Sequence, residues 1–153
     1  MKSNRELDIV VYGATGFTGR LVAEYLNNQY GVNGELVWAM AGRSQSKLEQ
    51  VRDEMGISAD LPLVVADSSN LDSIKAMVER TAVVCTTVGP YQLYGNELVA
   101  TCAAAGTDYV DLCGEPGWMY KMIGAHSAAA EASGARIVFS CGFDSIPFAL
   151  GVL

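Results

Sequence analysis

The stretch Ile9-Val10-Val11-Tyr12-Gly13-Ala14-Thr15-Gly16-Phe17-Thr18-Gly19 decides the fold. An apolar run of buried-strand type passes through a glycine turn into a segment with helical spacing. Each glycine has its own expected task. Gly13 lets the backbone turn sharply out of the strand, where a Cβ would clash. Gly16 keeps bulk away from a pyrophosphate resting on the helix N-terminus, whose free N–H groups and dipole favour an anion. Gly19 lets the helix pack closely on the strand it has just left. The spacing is GxxGxxG, one residue wider than the GxGxxG dinucleotide fingerprint. The strand before it and the amphipathic helix after it favour a nucleotide-binding turn over a bare βα connection. Gly13, Ala14, Thr15, Gly16, Phe17, Thr18 and Gly19 are therefore expected to bind a cofactor.

Working outward, short apolar runs alternate with helix-period segments over the whole chain. Strands are expected near 8–12, 36–41, 62–66, 82–87, 108–112 and 136–140. They do not alternate polar with apolar, as expected of parallel strands covered on both faces. Helices are expected near 17–29, 45–55, 70–79, 94–105 and 117–133. Phe17, Leu21, Val22, Tyr25 and Leu26 would line the apolar face of the first. Ser44, Asn70 and Pro116 stand near helix starts, and Gly56, Gly106 and Gly134 just past helix ends. Right-handed crossovers then give an α/β Rossmann fold, a doubly wound six-stranded parallel sheet ordered 3-2-1-4-5-6 with helices on both faces.

The bulk properties fit one domain over residues 1–153. A net charge of −7 argues against nucleic acid, which demands a basic face. No apolar stretch is long enough to span a membrane, and Ile9–Tyr12 is too short for a signal core, so a cytoplasmic protein is expected. Cys85, Cys102, Cys113 and Cys141 lack CxxC spacing and read as small buried hydrophobes rather than as a metal site. The apolar end Phe148-Ala149-Leu150-Gly151-Val152-Leu153 suggests the N-terminal fragment of a longer enzyme whose substrate domain is absent. The other reading of this end is a short helix docking its apolar face on the sheet.

Residues that would carry chemistry follow the strands. The second strand ends in Met40-Ala41-Gly42-Arg43-Ser44, with none of the acidic residues that bind a ribose 2′-hydroxyl in NAD sites. A guanidinium fork suits a 2′-phosphate, and Ser44 and Lys47 can add donors, so the reading is NADP(H). Asp67 could accept from the adenine amino group or cap the helix that follows. Val88, Gly89 and Pro90 would wall the nicotinamide ribose, and Tyr91 would either reach a substrate or pack as an ordinary tyrosine. Asp111 and Glu115 end the fifth strand, where a carboxylate could orient ligand or cap a helix. His126, mid-helix, is a surface or core residue. The Tyr-x-x-x-Lys pair of short-chain dehydrogenases and the GK[ST] of P-loop enzymes are both missing.

Tyr12-Gly13-Ala14-Thr15-Gly16-Phe17-Thr18-Gly19-Arg20, Ala41-Gly42-Arg43, Val88-Gly89-Pro90-Tyr91, Tyr109-Val110-Asp111 and Cys141-Gly142-Phe143-Asp144-Ser145-Ile146-Pro147 together resemble saccharopine dehydrogenase-like oxidoreductases. More narrowly, they resemble the branch containing trans-acting enoyl reductases. The resemblance implies an N-terminal NADP-binding domain, a larger C-terminal part supplying most of the substrate pocket, and hydride transfer between the nicotinamide cofactor and a small-molecule substrate that it does not specify. No catalytic residue carries over, and no metal is implied. The alternative is a non-catalytic NAD(P)-binding redox sensor. Open sheets of this kind also pair through helices or an edge strand, which leaves a homodimer open.

Overall fold

Six short strands form one parallel sheet in the computed structural model, which describes residues 5–152. The strands are β1 (Leu7–Tyr12), β2 (Trp38–Gly42), β3 (Leu63–Val65), β4 (Thr81–Thr86), β5 (Asp108–Asp111) and β6 (Ile137–Val138). Their order is β3-β2-β1-β4-β5-β6, so the chain reverses direction across the sheet between β1 and β4. Val11 of β1 lies opposite Met40 on one side and Cys85 on the other. The helices are α1 (Phe17–Tyr30), α2 (Gln45–Glu54), α3 (Leu71–Glu79), α4 (Tyr91–Tyr94), α5 (Asn96–Ala105), α6 (Pro116–Ser133) and α7 (Ile146–Gly151). None among the described residues is long and apolar enough to cross a membrane.

Two cores hold the layers together. On one face Val10, Tyr12, Val84 and Tyr109 pack with Ile74, Met77 and Val78 of α3, Leu98, Val99 and Cys102 of α5, and Trp118 of α6. On the other face Val11 and Met40 pack with Ala23 and Leu26 of α1 and Leu48 and Val51 of α2. Each fully buried Leu, Ile or Val side chain contributes about 1.5–3 kcal/mol. Capping fixes where helices begin: the Ser44 side chain accepts the Lys47 N–H, Asn70 accepts the Ser73 N–H, and Pro116 opens α6.

Three details differ from the sequence reading, and a fourth removes one of its alternatives. The face that α1 buries is Gly19, Ala23 and Leu26, whereas Phe17, Leu21 and Tyr25 point to solvent. Small residues allow the close approach to the sheet, and hydrophobicity alone does not reveal that need. The segment expected as one helix from residue 94 is instead the turn α4 followed by α5. The Glu115 carboxylate accepts the N–H groups of Tyr91 and Gln92 at 2.7 and 3.0 Å and so starts α4 early. Strand β6 stops after two residues because Asp111 captures the next backbone groups: its carboxylate takes the Ser140 N–H and its carbonyl the Cys141 N–H. Finally, α7 buries no residue, so it does not dock its apolar side on the sheet.

Candidate functional site

The carboxyl ends of β1, β2 and β4 surround a cleft of about 440 Å³ at the point where the strand order reverses. Tyr12, Gly13, Thr15, Gly16, Gly42, Arg43, Ser68, Thr87, Val88, Gly89, Pro90 and Tyr94 line it. The turn between β1 and α1 is braced from both neighbouring strands. The N–H groups of Gly13 and Ala14 donate to the Ala41 carbonyl at 3.0 and 3.1 Å, and the Thr87 N–H donates to the Tyr12 carbonyl at 2.9 Å.

The three glycines of this turn do different work. Gly13 has φ +93°, and a Cβ there would stand 2.7 Å from the Thr87 hydroxyl and 2.9 Å from Val88 Cγ2. Gly19 is pressed against the turn, and a Cβ would collide with the Gly13 carbonyl and lie 2.8 Å from Ala14 Cα. Gly16 is exposed, and among the described residues a Cβ on it would meet only the Gly13 carbonyl oxygen, at the ordinary distance of 3.4 Å. The protein itself therefore does not require glycine at 16; the space belongs to the cleft. Gly16 is also the N-cap of α1 and offers no side-chain acceptor to the first-turn N–H groups. An open cradle at a helix N-terminus fits a dinucleotide pyrophosphate.

Arg43 stands where β2 leaves the sheet, exposed at the mouth of this cleft. Asp67 lies near enough to feel its charge. The Ser69 N–H and hydroxyl hold the Asp67 carboxyl below the usual carboxylate range, and Arg43 adds to that. Asp67 thus closes a turn onto Ser69 at 2.9 and 2.8 Å, while Asn70 is the helix cap. Burial raises the Tyr12 phenol and the Asp67 charge adds to the effect.

Of the residues expected from sequence, Gly13, Thr15, Gly16, Arg43, Val88, Gly89 and Pro90 come together around the cleft. Ala14 is fully buried, Gly19 lies beneath the turn, and Phe17 is 82% exposed outside it. The Ser44 hydroxyl caps α2, accepting the Lys47 N–H at 3.3 Å, and neither side chain lines the cleft. Tyr91 packs rather than reaching a ligand. Its ring lies 5.5 Å from that of Trp118, and its hydroxyl donates to the Thr86 carbonyl at 3.3 Å. The tyrosine at the cleft is Tyr94, one helical turn later. Placing the helix start directly after Pro90 would have found it. Ser68 and Thr87 were also missed, because small polar residues after a strand carry no signal of their own.

A second cavity of about 410 Å³ opens beyond Thr87, which it shares with the cleft. Thr18 and Val22 of α1 face Cys85, Val110, Cys113, Cys141 and Phe143 across it. Burial pushes the Cys85 thiol up to about 11 and also raises Cys113 and Cys141. These thiols stay protonated near neutrality and are poor nucleophiles. Buried Asp111 shapes the rim. It accepts from the Tyr109 hydroxyl at 2.7 Å, the Cys113 N–H at 3.0 Å and the Ser140 N–H at 2.8 Å. The Ser140 hydroxyl in turn donates to the Cys113 carbonyl at 2.7 Å. Asp111 therefore clamps two loops together, with three of the roughly four acceptor sites of its carboxylate taken up within the protein.

Comparison with known proteins agrees with this geometry. Proteins named trans-acting enoyl reductase are 50% identical over 151 residues in Mycobacterium tuberculosis and 50% identical over 149 residues in Mycobacterium leprae. These alignments cover 98% and 97% of this chain but only 35% of each relative, so the chain spans about a third of their length. Among solved structures, Citrobacter sp. triphenylmethane reductase complexed with NADP(H) superimposes with TM-score 0.62 at 17% identity, covering 86% of this chain and 48% of that one. Saccharopine dehydrogenase from Saccharomyces cerevisiae gives TM-score 0.61 at 14% identity, covering 90% and 28%. Both share the fold. The model of the saccharopine dehydrogenase NADP binding domain matches residues 9–138, most of the chain. A six-stranded doubly wound sheet, an open glycine turn at its switch point and this match make the chain a member of the saccharopine dehydrogenase NADP-binding domain family.

Proposed function

We propose that the chain is the cofactor-binding domain of an NADP(H)-dependent oxidoreductase. The pyrophosphate rests on the 13–19 turn, Arg43 takes the adenosine 2′-phosphate, and the nicotinamide end points past Gly89 toward Thr87. Lys47 supplies an outer donor to the phosphate through side-chain rotation, and Ser44 a further one at the cost of its cap on α2. The bound cofactor carries the hydride-transfer chemistry. The chain's part is to hold it in one orientation beside the second cavity, where a substrate would meet it. The remaining two thirds of a longer protein complete the substrate site. Relatives named as enoyl reductases favour this reading over a redox sensor that binds cofactor without turnover.

Gly16 carries the reading, since among the described residues nothing needs a glycine there, yet it stands in the lining of the cleft. Gly16→Val is expected to cost the fold no more than about 1 kcal/mol, the scale of an unfavourable N-cap. In calorimetric titration its NADPH affinity is expected to fall at least ~10-fold, or about 1.4 kcal/mol. A variant that binds NADPH as tightly as the wild type would remove the pyrophosphate from this turn.

A further inference from the structure

One face of the sheet is bare over half its width, and chain direction explains why. Right-handed crossovers from β1 to β2 to β3 place α1 and α2 on one face. The chain then runs the opposite way through β4, β5 and β6, which puts α3, α5 and α6 on the other face. Val84, Tyr109 and Ile137 are packed into that helix-covered core. Their strand neighbours Val83, Cys85, Val110 and Val138 point the opposite way by strand alternation. They belong to neither core among the described residues, and Val138 is 48% exposed. Parallel strands are normally covered on both faces.

The border of this face is apolar too. Leu21, Val22 and Tyr25 share the flank of α1 that carries Thr18, because residues three and four apart fall on one side of a helix. On the far side Phe143, 77% exposed, meets Phe148 edge-on, at 6.2 Å between ring centres. The second cavity lies between these two borders, floored by Cys85 and Val110. A contiguous apolar area of this kind on a soluble fold marks an interaction site.

We infer that the uncovered face of β4–β6, bordered by Leu21 and Tyr25 on α1 and by Phe143 and Phe148, is the seat of the polypeptide that follows this stretch in its relatives. Two observations name that occupant. The relatives carry about two thirds of their length outside the matched segment. The 141–152 segment, through which the chain leaves β6, borders the bare face and is itself exposed and apolar. The occupant presents an apolar helix or strand surface to Val110 and Val138. Its arrival roofs the second cavity and encloses whatever meets the nicotinamide there. The inference concerns coverage of the sheet and holds whether or not the 13–19 turn binds NADP(H).

Hydroxyl-radical footprinting of this chain and of the full-length Mycobacterium tuberculosis relative tests it. In this chain Tyr25, Phe143 and Phe148 should be oxidised readily at all protein concentrations, as should Tyr120 on α6, which is also exposed. In the longer protein the positions equivalent to Tyr25, Phe143 and Phe148 should react at least ~10-fold more slowly, while the Tyr120 position is unchanged. Equal rates at the first three positions in both proteins would overturn the inference. Protection that arises in this chain alone as its concentration rises would also overturn it, by assigning the face to a second copy. NADPH titration of the same samples reports separately on the cofactor turn.

Discussion

Gly19→Ala is expected to destabilise the chain by at least about 2 kcal/mol, although alanine is the better helix former. In the interior of an exposed helix, replacing glycine by alanine gains about 1 kcal/mol. At Gly19 the added methyl would occupy the space of the Gly13 carbonyl, with Gly13 C at 2.7 Å and Ala14 Cα at 2.8 Å. Those are backbone atoms of a turn already held to β2 and β4 by hydrogen bonds, so they cannot step aside as a flexible side chain would. Overpacking against a fixed neighbour costs roughly 1–3 kcal/mol and occasionally more, and here it outweighs the helical gain. Gly124 in α6 is the control, since a Cβ there meets nothing within 4 Å. Gly124→Ala should leave stability unchanged or raise it by up to about 1 kcal/mol. Urea unfolding of both variants gives the comparison; if they behave alike, Gly19 is not a packing residue.

The second large effect is on cofactor choice. Arg43→Ala should weaken NADPH by roughly 10- to 150-fold, the ~1.5–3 kcal/mol of a hydrogen bond to a charged group. NADH lacks the 2′-phosphate, and its affinity should change by less than about twofold. The prediction depends on Arg43 being the charged group at the cleft mouth, with Gly42 before it leaving room against Thr15 and Leu48. Asp67 beside it sharpens the effect, because without Arg43 its negative charge faces the phosphate uncompensated. Stability should hardly change, since Arg43 is exposed. If NADPH and NADH weaken equally in Arg43→Ala, Arg43 does not read the 2′-phosphate and the donor must be sought at Ser44 or Lys47.

The sheet order and the switch-point cleft were legible because they follow from few rules. Five crossovers of one hand, joined to a glycine turn after the first strand, leave little freedom in topology. That Gly13, Gly16 and Arg43 line this cleft was legible for the same reason, since each sits at a fixed offset from a strand end. What escaped the sequence depends on contacts between distant segments. Nothing near Tyr91 announces that Glu115 will cap it, yet that contact turns Tyr91 inward and brings Tyr94 to the cleft. A carboxylate at the end of the fifth strand could be read as orienting ligand or capping a helix, and nothing in the sequence shows that Tyr109, Cys113 and Ser140 engage Asp111 from three directions. The solvent-facing row Phe17, Leu21 and Tyr25 was misread as core because a period of 3.6 says that a helix is apolar on a side, not which side is covered.

On the proposed function the open turn at Gly16 and the guanidinium of Arg43 together hold NADP(H). Calorimetric titration of the folded wild-type chain with NADPH and, separately, with NADH tests it most directly. Saturable one-to-one binding of NADPH is expected, with NADH at least ~10-fold weaker, the lower end of the charge-assisted contribution at Arg43. No heat with either nucleotide, or equal affinity for both, would contradict it.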